Sequence, residues 1–494
     1  MPGEKVEKGC IVSNKKKSLR LIETRDIMAC IILREVIVIT ISELMLNIKD
    51  VHMEQLVFQS DVKTQEKVKE LNEKGYRVSF TDAEFKDKFK VPADCVAYTP
   101  SISYSCIYFN RDTLAVLQFP LDFYIADGEK SPLWSDIETF YRAVKSIEAE
   151  VASGDYTTSI SGLPDSMKLE YFNLLVERGM DFEGFYRKFI DFYTYADYGF
   201  GCISEENIES IFQRKTSEDI QATNEVLTSL PYTITIYRGQ TQMGTPLKRA
   251  YSWSLDKNVA MFFAARLGTY DAEIVEARVK KEDVIEYIKG YEQEILVRYR
   301  DVEVINTTKL YGLERLKELL PRVTKTYLEY KKKLYKLDYN LKDTIHGYEH
   351  TLRVLLLSLL LSEELGLSNR NRDRLATAAI YHDCRRKHDG ESKQHGYDSA
   401  EYYKSSVNHP DEITAFLIQY HSIDDKYGYK EIELNPALSE KADIVKLLFK
   451  IFKDCDGLDR VRFGLRALDL SYLRLDISQH YPLIARICHE EVHQ

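Results

Sequence analysis

Apolar and polar positions alternate in several registers along this 494-residue chain. Residues before about Ser18 are lysine-rich and are expected to lie outside any core. Ile31–Ile41 is rich in Ile and Val and reads as a strand. Val62–Glu73 carries helical spacing and stops at Gly75, and Gly75–Phe80 reads as a following strand. Strand-like runs recur at Cys95–Tyr98, Cys106–Phe109 and Leu114–Phe119, and Ala126–Pro132 (ADGEKSP) reads as a loop. Helical spacing then takes over in Asp136–Ala152, Met167–Arg178, the aromatic-rich Phe182–Tyr198 and Glu205–Leu230. An aromatic stripe at that spacing is expected to be core.

From Pro231 the pattern switches again. Strands are expected at PYTITIYRG, at Ala250–Ser254, at Glu273–Lys280 and after the turn in Gly290–Arg298, with a helix at Lys257–Arg266. The last third is helical, with an apolar helix opened by His350 and a second ending in His382–Asp383 after the polar turn Ser368–Asp373. The pattern predicts a multidomain α+β protein. It comprises a small N-terminal α/β domain (1–130), a mixed α+β domain with a helical lead-in (131–325) and an all-α domain (326–494).

Composition adds limits. Hydrophobic content of 44% and charged content of 30% are those of an ordinary globular protein. The net charge of −10 argues against a default grip on nucleic-acid phosphates. The eight cysteines are scattered without a CxxC pair, which fits reduced thiols. No run is long and uncharged enough to span a membrane, and the start MPGEKVEKGCIVSNKKK lacks the apolar core of a signal peptide. A cytoplasmic location without membrane association is expected.

The C-terminal third holds the densest chemistry. His350, His382–Asp383, His395, His421 and Asp456 fall at the ends of successive predicted helices. Neutral nitrogen mixed with anionic oxygen suits a divalent transition metal such as Mn, Fe, Co, Ni or Zn, as one or two ions. The series His350, His382–Asp383, Asp456, with its flanks HGYEHTLRV and DCDGLDR, resembles the HD-domain metal-dependent phosphohydrolases from about Tyr330 onward. His395 and His421 resemble the extra ligands of two-metal members. The resemblance implies that Asp383 bridges the ions as a catalytic and metal-binding residue. His350, His382 and Asp456 would surround the first ion, and His395 and His421 the second. His346, His388 and His409 are read as ordinary histidines, His346 alternatively as a phosphate contact. Arg385, Arg386 and Lys387 are candidate phosphate contacts. The Gly-Tyr-Pro signature of the cyclic-dinucleotide phosphodiesterases is missing, so that substrate is not supported.

A second set lies upstream: Arg238 in YRG, Ser252 in SWS ahead of a helix carrying FFAA, and Glu292 and Glu294 in EQE entering a strand. In this order they resemble the Arg–Ser–Glu class of ADP-ribosyltransferases over Tyr232–Val304, with Trp253 where that family most often has a small residue. Cleaving the nicotinamide bond builds positive charge on ribose, and a fixed carboxylate stabilises it. The resemblance gives that role to Glu294 and acceptor activation to Glu292. It implies that Arg238 holds the pyrophosphate, Gly239 lets backbone approach the nicotinamide amide, and Ser252 braces Glu294 and the ribose.

The two sets together predict a bifunctional enzyme. One activity would transfer ADP-ribose from NAD to an unknown protein, nucleic-acid or small-molecule acceptor. The other would hydrolyse a phosphorylated or nucleotide substrate. By analogy such fusions suit host-directed effectors or phage-defence toxins. The alternative is a nucleotide-directed HD phosphohydrolase whose upstream domains serve only as an NAD or ADP-ribose sensor or recruitment module.

Overall fold

A computed structural model describes residues 62–73, 81–89, 95–98, 104–121, 123–126, 129–132, 137–163, 165–196, 200–242 and 244–490. The strands expected at Ile31–Ile41 and Gly75–Phe80 lie outside these residues. The chain forms two compact units. One takes the described residues up to Leu310 together with Phe463–Leu470, and the other takes Tyr311–Arg462 and Ser471 onward.

The first unit begins with helices α1 (Gln65–Glu73) and α2 (Asp82–Phe89) and the antiparallel strands β1 (Cys95–Tyr98), β2 (Tyr104–Asn110) and β3 (Ala115–Leu121), in the order β1-β2-β3. The expected loop at Ala126–Pro132 instead belongs to a hairpin, β4 (Phe123–Ala126) and β5 (Glu129–Pro132). Both strands are short, and the polar residues within the second conceal a strand pattern in the sequence. Helices α3 (Ile137–Ala152), α4 (Thr157–Ser161), α5 (Asp165–Glu177) and α6 (Phe185–Tyr195) follow. The aromatic stripe of α6 is core as expected: Phe185, Tyr186, Phe189 and Tyr193 are buried, and only Tyr195 points out.

The single helix expected over Glu205–Leu230 is two, α7 (Glu205–Phe212) and α8 (Ser217–Leu227). The break is chemical. Thr216 accepts from Asp219 N while the Asp219 carboxylate accepts from Thr216 N, a capping box that starts a new helix.

A six-stranded antiparallel sheet carries the rest of this unit. It is built from β6 (Thr233–Gln240), β7 (Ser252–Ser254), β8 (Ala272–Lys280), β9 (Val284–Ile288), β10 (Glu294–Val297) and β11 (Val302–Leu310), in the order β11-β8-β6-β7-β10-β9. Strands β9 and β11 were not expected from the pattern, because β11 is largely exposed and shows little apolar alternation. The sheet separates two cores by the period-two rule. Leu296 packs with Tyr251, Ile285 and the upstream helices, while Ile295 and Val297 pack with Trp253, Ile234 and Ile236. Helix α9 (Lys257–Ala265) lies so close to β6 that a Cβ on Gly239 would stand 2.2 Å from the Ala260 carbonyl oxygen.

The second unit is helical throughout its described residues. Its elements are α10 (Leu313–Leu334), α11 (Tyr348–Glu364), α12 (Asn369–Tyr381), α13 (His395–Ser406), α14 (Glu412–Tyr420), α15 (Asp425–Leu434), α16 (Pro436–Ser439), α17 (Ala442–Leu458) and α18 (Pro482–Glu490). Helix α10 runs through Pro321 and through the expected boundary at 326. The centre is α11, whose run Val354–Leu361 is buried on all sides apart from slight exposure at Leu356. Among the described residues no helix is long and apolar enough to cross a membrane. Cys95, Cys202, Cys384, Cys455 and Cys488 are free thiols.

Candidate functional site

Helix ends deliver the histidines and aspartates of the helical unit to one point. His350 lies in the first turn of α11, and His382 and His421 terminate α12 and α14. His395 opens α13, and Asp456 sits in the last turn of α17. Local chemistry starts these helices where the site needs them. Ser368 caps α12 by accepting from Asn371 N, and Asp411 caps α14 by accepting from Thr414 N. Gly396 admits the backbone of α14, since a Cβ there would lie 2.7 Å from Gln419 O.

The imidazoles aim Nε2 inward. His382 Nδ1 and His421 Nδ1 each donate to a backbone carbonyl, Ala379 O and Ile418 O, at 2.7 Å. His350 Nδ1 donates to Asp459 Oδ2 at 2.7 Å. These partners fix the tautomers and leave the Nε2 lone pairs facing the centre. There His350 Nε2 lies 3.1 Å from His382 Nε2, and His395 Nε2 lies 2.9 Å from His421 Nε2. Asp383 stands between the pairs, with Oδ2 3.6 Å from His350 Nε2 and Oδ1 3.0 Å from His395 Nε2. Asp456 Oδ1 is 3.4 Å from His350 Nε2.

The electrostatics match a cation site. Burial works against ionisation of Asp383, yet His382, His346, His395 and His421 around it hold its carboxyl well below the usual range. Burial likewise opposes ionisation of Asp456, which His350 pulls far down. Burial pushes His382 down to about 3, so this imidazole is neutral at neutral pH, with a nitrogen able to accept a cation. Asp383 Oδ1 is buried and accepts no well-formed hydrogen bond. Facing lone pairs and an orphaned carboxylate oxygen both call for a cation. Three groups of ligand atoms lie close enough to share an ion: His350, His382 and Asp456; His382, Asp383 and His421; and His346, His350 and Asp383. The residues therefore fit a divalent metal.

Two residues were missed or undervalued in the sequence. Asp459 is fully buried and holds His350, while Arg353 grips it through Nε and Nη2 at 2.6 and 3.1 Å. The signal was present in DCDGLDR, where Asp456 and Asp459 are three residues apart and share a helix face. His346, read as an ordinary histidine or a phosphate contact, has Nδ1 3.3 Å from Asp383 Oδ2. His388, His409 and also His395 belong to none of these groups, although His395 Nε2 lies 3.0 Å from Asp383 Oδ1. Of the three cations after the His–Asp pair, only Arg386 reaches the centre, with Nη1 3.2 Å from His395 Nε2. Arg385 stacks on Tyr402, and Lys387 pairs with Asp398 near the surface. An open cleft of about 640 Å³ is lined by Lys393, Tyr397, Tyr420, Tyr427, Lys430 and Glu431, and takes in Gln394 and Tyr420, the residues before His395 and His421 in the chain.

In the sheet unit, pairing brings the second set together. Tyr237, next to Arg238, pairs with Ser254, and Ser254 and Ser252 pair with Glu294 and Leu296. Arg238 Nη1 donates to the Ser252 carbonyl at 2.6 Å. Glu294 is buried, and burial raises its carboxyl to about 7 against the pull of the Ser252 hydroxyl, Arg238 and Thr194. Its Oε2 accepts no hydrogen bond. Glu292 is partly exposed and separated from Glu294 by Gln293, whose φ of +45° is unusual for a side-chain-bearing residue. Glu292 thus lies in the turn ahead of β10, while Glu294 opens the strand. Ser254 Oγ secures the turn by donating to Glu292 O at 2.6 Å. Gly239 faces α9, so packing alone requires a glycine there.

Comparison with known proteins bears on the helical unit alone. Residues 347–461 match the family model of the HD domain. The match supports a metal-dependent phosphohydrolase that binds divalent metal. No curated protein and no solved structure matches the chain.

Proposed function

We propose that this chain is a bifunctional enzyme whose helical unit is a two-metal phosphohydrolase and whose sheet unit is an NAD-dependent mono-ADP-ribosyltransferase. The observation that carries the first reading is the inward aim of the Nε2 atoms around Asp383, with tautomers set by Ala379 O, Ile418 O and Asp459. His350, His382 and Asp456 would hold one ion, His395 and His421 the other, with Asp383 common to both. Bound divalent metal supplies a water acidic enough to attack phosphorus near neutral pH, and it neutralises charge on the phosphate. The protein's own part is positional. Asp459 and the two backbone carbonyls lock the imidazoles, and Arg386 adds a fork of donors for phosphate oxygens. Lys393, Lys430 and the tyrosines of the neighbouring cleft favour a nucleotide over a bare phosphate ester.

The transferase reading is carried by the meeting of Arg238, Ser252 and Glu294 across β6, β7 and β10. Glu294 is the one group of this set with an unsatisfied buried oxygen. In that place its carboxylate would meet the positive charge that grows on the ribose carbon as nicotinamide leaves. Arg238 would turn its remaining donors to the pyrophosphate, and Glu292, in the exposed turn, would take the acceptor's proton.

One assay tests both. Purified protein is incubated with adenine-labelled NAD, with and without Mn²⁺, and with a panel of nucleotides. Nicotinamide release that disappears in Glu294→Gln supports the transferase. Metal-dependent nucleotide hydrolysis lost in Asp383→Ala supports the phosphohydrolase. Untouched NAD would leave the sheet unit as a recruitment module, or as a sensor where NAD binds without turnover.

A further inference from the structure

Phe463–Leu470 leaves the sequence of the helical unit and packs within the sheet unit. Gly464 makes the entering turn at a φ of +94°. The far end is pinned to the first turn of α9. Asn258 Nδ2 donates to Asp469 Oδ1 at 3.0 Å, and Leu470 N donates to Asn258 Oδ1 at 2.8 Å. Between turn and pin stands Arg466. Its guanidinium carbon lies 4.6 Å from the Phe262 ring centre and 4.4 Å from that of Tyr291. Its Nη2 is 3.9 Å from Glu292 Oε1.

A half-exposed ion pair of this length stabilises little by itself. The arrangement does hold one guanidinium at one carboxylate, with rings of α9 and of the catalytic turn on either side. That carboxylate is the one proposed above to receive an acceptor's proton, two residues before Glu294.

We infer that Arg466 is an ADP-ribose acceptor in cis. The inference rests on the transferase reading of Glu292 and Glu294. A guanidinium nitrogen of Arg466 attacks C1′ of the nicotinamide ribose of NAD. The C1′–nicotinamide bond breaks, and its electron pair returns to the ring nitrogen, so neutral nicotinamide leaves. The new C1′–N bond forms as Glu292 takes the proton from the guanidinium. NAD is the only co-reactant. Holding the acceptor guanidinium at Glu292, two residues from Glu294, converts a bimolecular step into an intramolecular one.

The test uses the full chain with NAD. Released nicotinamide is measured by chromatography, and the adduct is mapped by electron-transfer fragmentation. The wild-type protein should carry ADP-ribose on Arg466, at a rate per chain independent of protein concentration. The adduct should be absent from that peptide in Arg466→Lys, and both adduct and nicotinamide should be lost in Glu294→Gln. Glu294-dependent nicotinamide release with no adduct on Arg466 would overturn the acceptor while leaving the transferase standing. So would a rate per chain proportional to protein concentration. No nicotinamide from the wild type would remove the transferase reading, and this acceptor with it.

Discussion

Asp459 Oδ2 lies 2.7 Å from His350 Nδ1, behind the ring and away from the Nε2 that faces the centre. The carboxylate is itself held by Arg353, so the ring can neither turn nor exchange tautomers cheaply. Asp459→Asn should therefore weaken divalent-metal affinity by about 10–100-fold, the range for such orienting partners. Titration calorimetry with Mn²⁺ or Zn²⁺ measures it. Unchanged affinity would mean that His350 needs no orienting partner.

Metal should also stabilise the helical unit. Ions that bind only the folded state raise its stability by about 2.7 kcal/mol at a free concentration of 100 times Kd. Differential scanning calorimetry should show the transition of this unit moving up with Mn²⁺ and back with a chelator. Asp383→Ala should abolish the shift, because that side chain is common to two of the three ligand groups. A full shift in the variant would remove Asp383 from the ligands.

Glu294 makes stability depend on pH. Its folded pKa of about 7 stands above the 4.5 of a free glutamate, so between these values the folded state keeps a proton that the unfolded chain has released. The contribution is complete below pH 4.5 and is lost as pH rises through 7. Glu294→Gln, neutral at every pH, should match the wild type near pH 4.5 and exceed it at pH 8 by on the order of 2–3 kcal/mol. Denaturant melts at the two pH values check it. Equal stability at pH 8 would mean that the carboxylate is better solvated than its burial suggests.

Glu286 tests the scaffold beneath this site. Its buried carboxylate accepts from Tyr186 and Thr223, each at 2.8 Å, and pairs with Lys215 Nζ at 3.2 Å. Glu286→Ala strands the Lys215 ammonium, which burial already pulls below its usual range. The cost should be about 3–5 kcal/mol. Urea unfolding measures it, and a loss under about 1 kcal/mol would mean that water replaces the carboxylate.

Local pattern carried much of this protein. The apolar run of α11, the strand at Thr233–Gln240 and the aromatic face of α6 are legible because each is a period that the backbone repeats. His350, His382–Asp383, His395, His421 and Asp456 are legible as candidate metal ligands because each lies near a helix end, and helix ends are marked by caps and polar turns.

Only the tertiary structure decided how these pieces meet. Asp459 is one more aspartate in DCDGLDR until folding sets it behind His350, 109 residues away. The break between α7 and α8 depends on Thr216 and Asp219 capping each other, which a continuous helical period conceals. Strand β11 has exposed side chains and is held by its ladder to β8, so its apolar pattern announces nothing. Arg466 lies 174 residues beyond Glu292, and no spacing rule relates them. Periodicity reports which face of an element is buried. Which two faces share a site is set by packing between distant segments, and that appears only when the chain is folded.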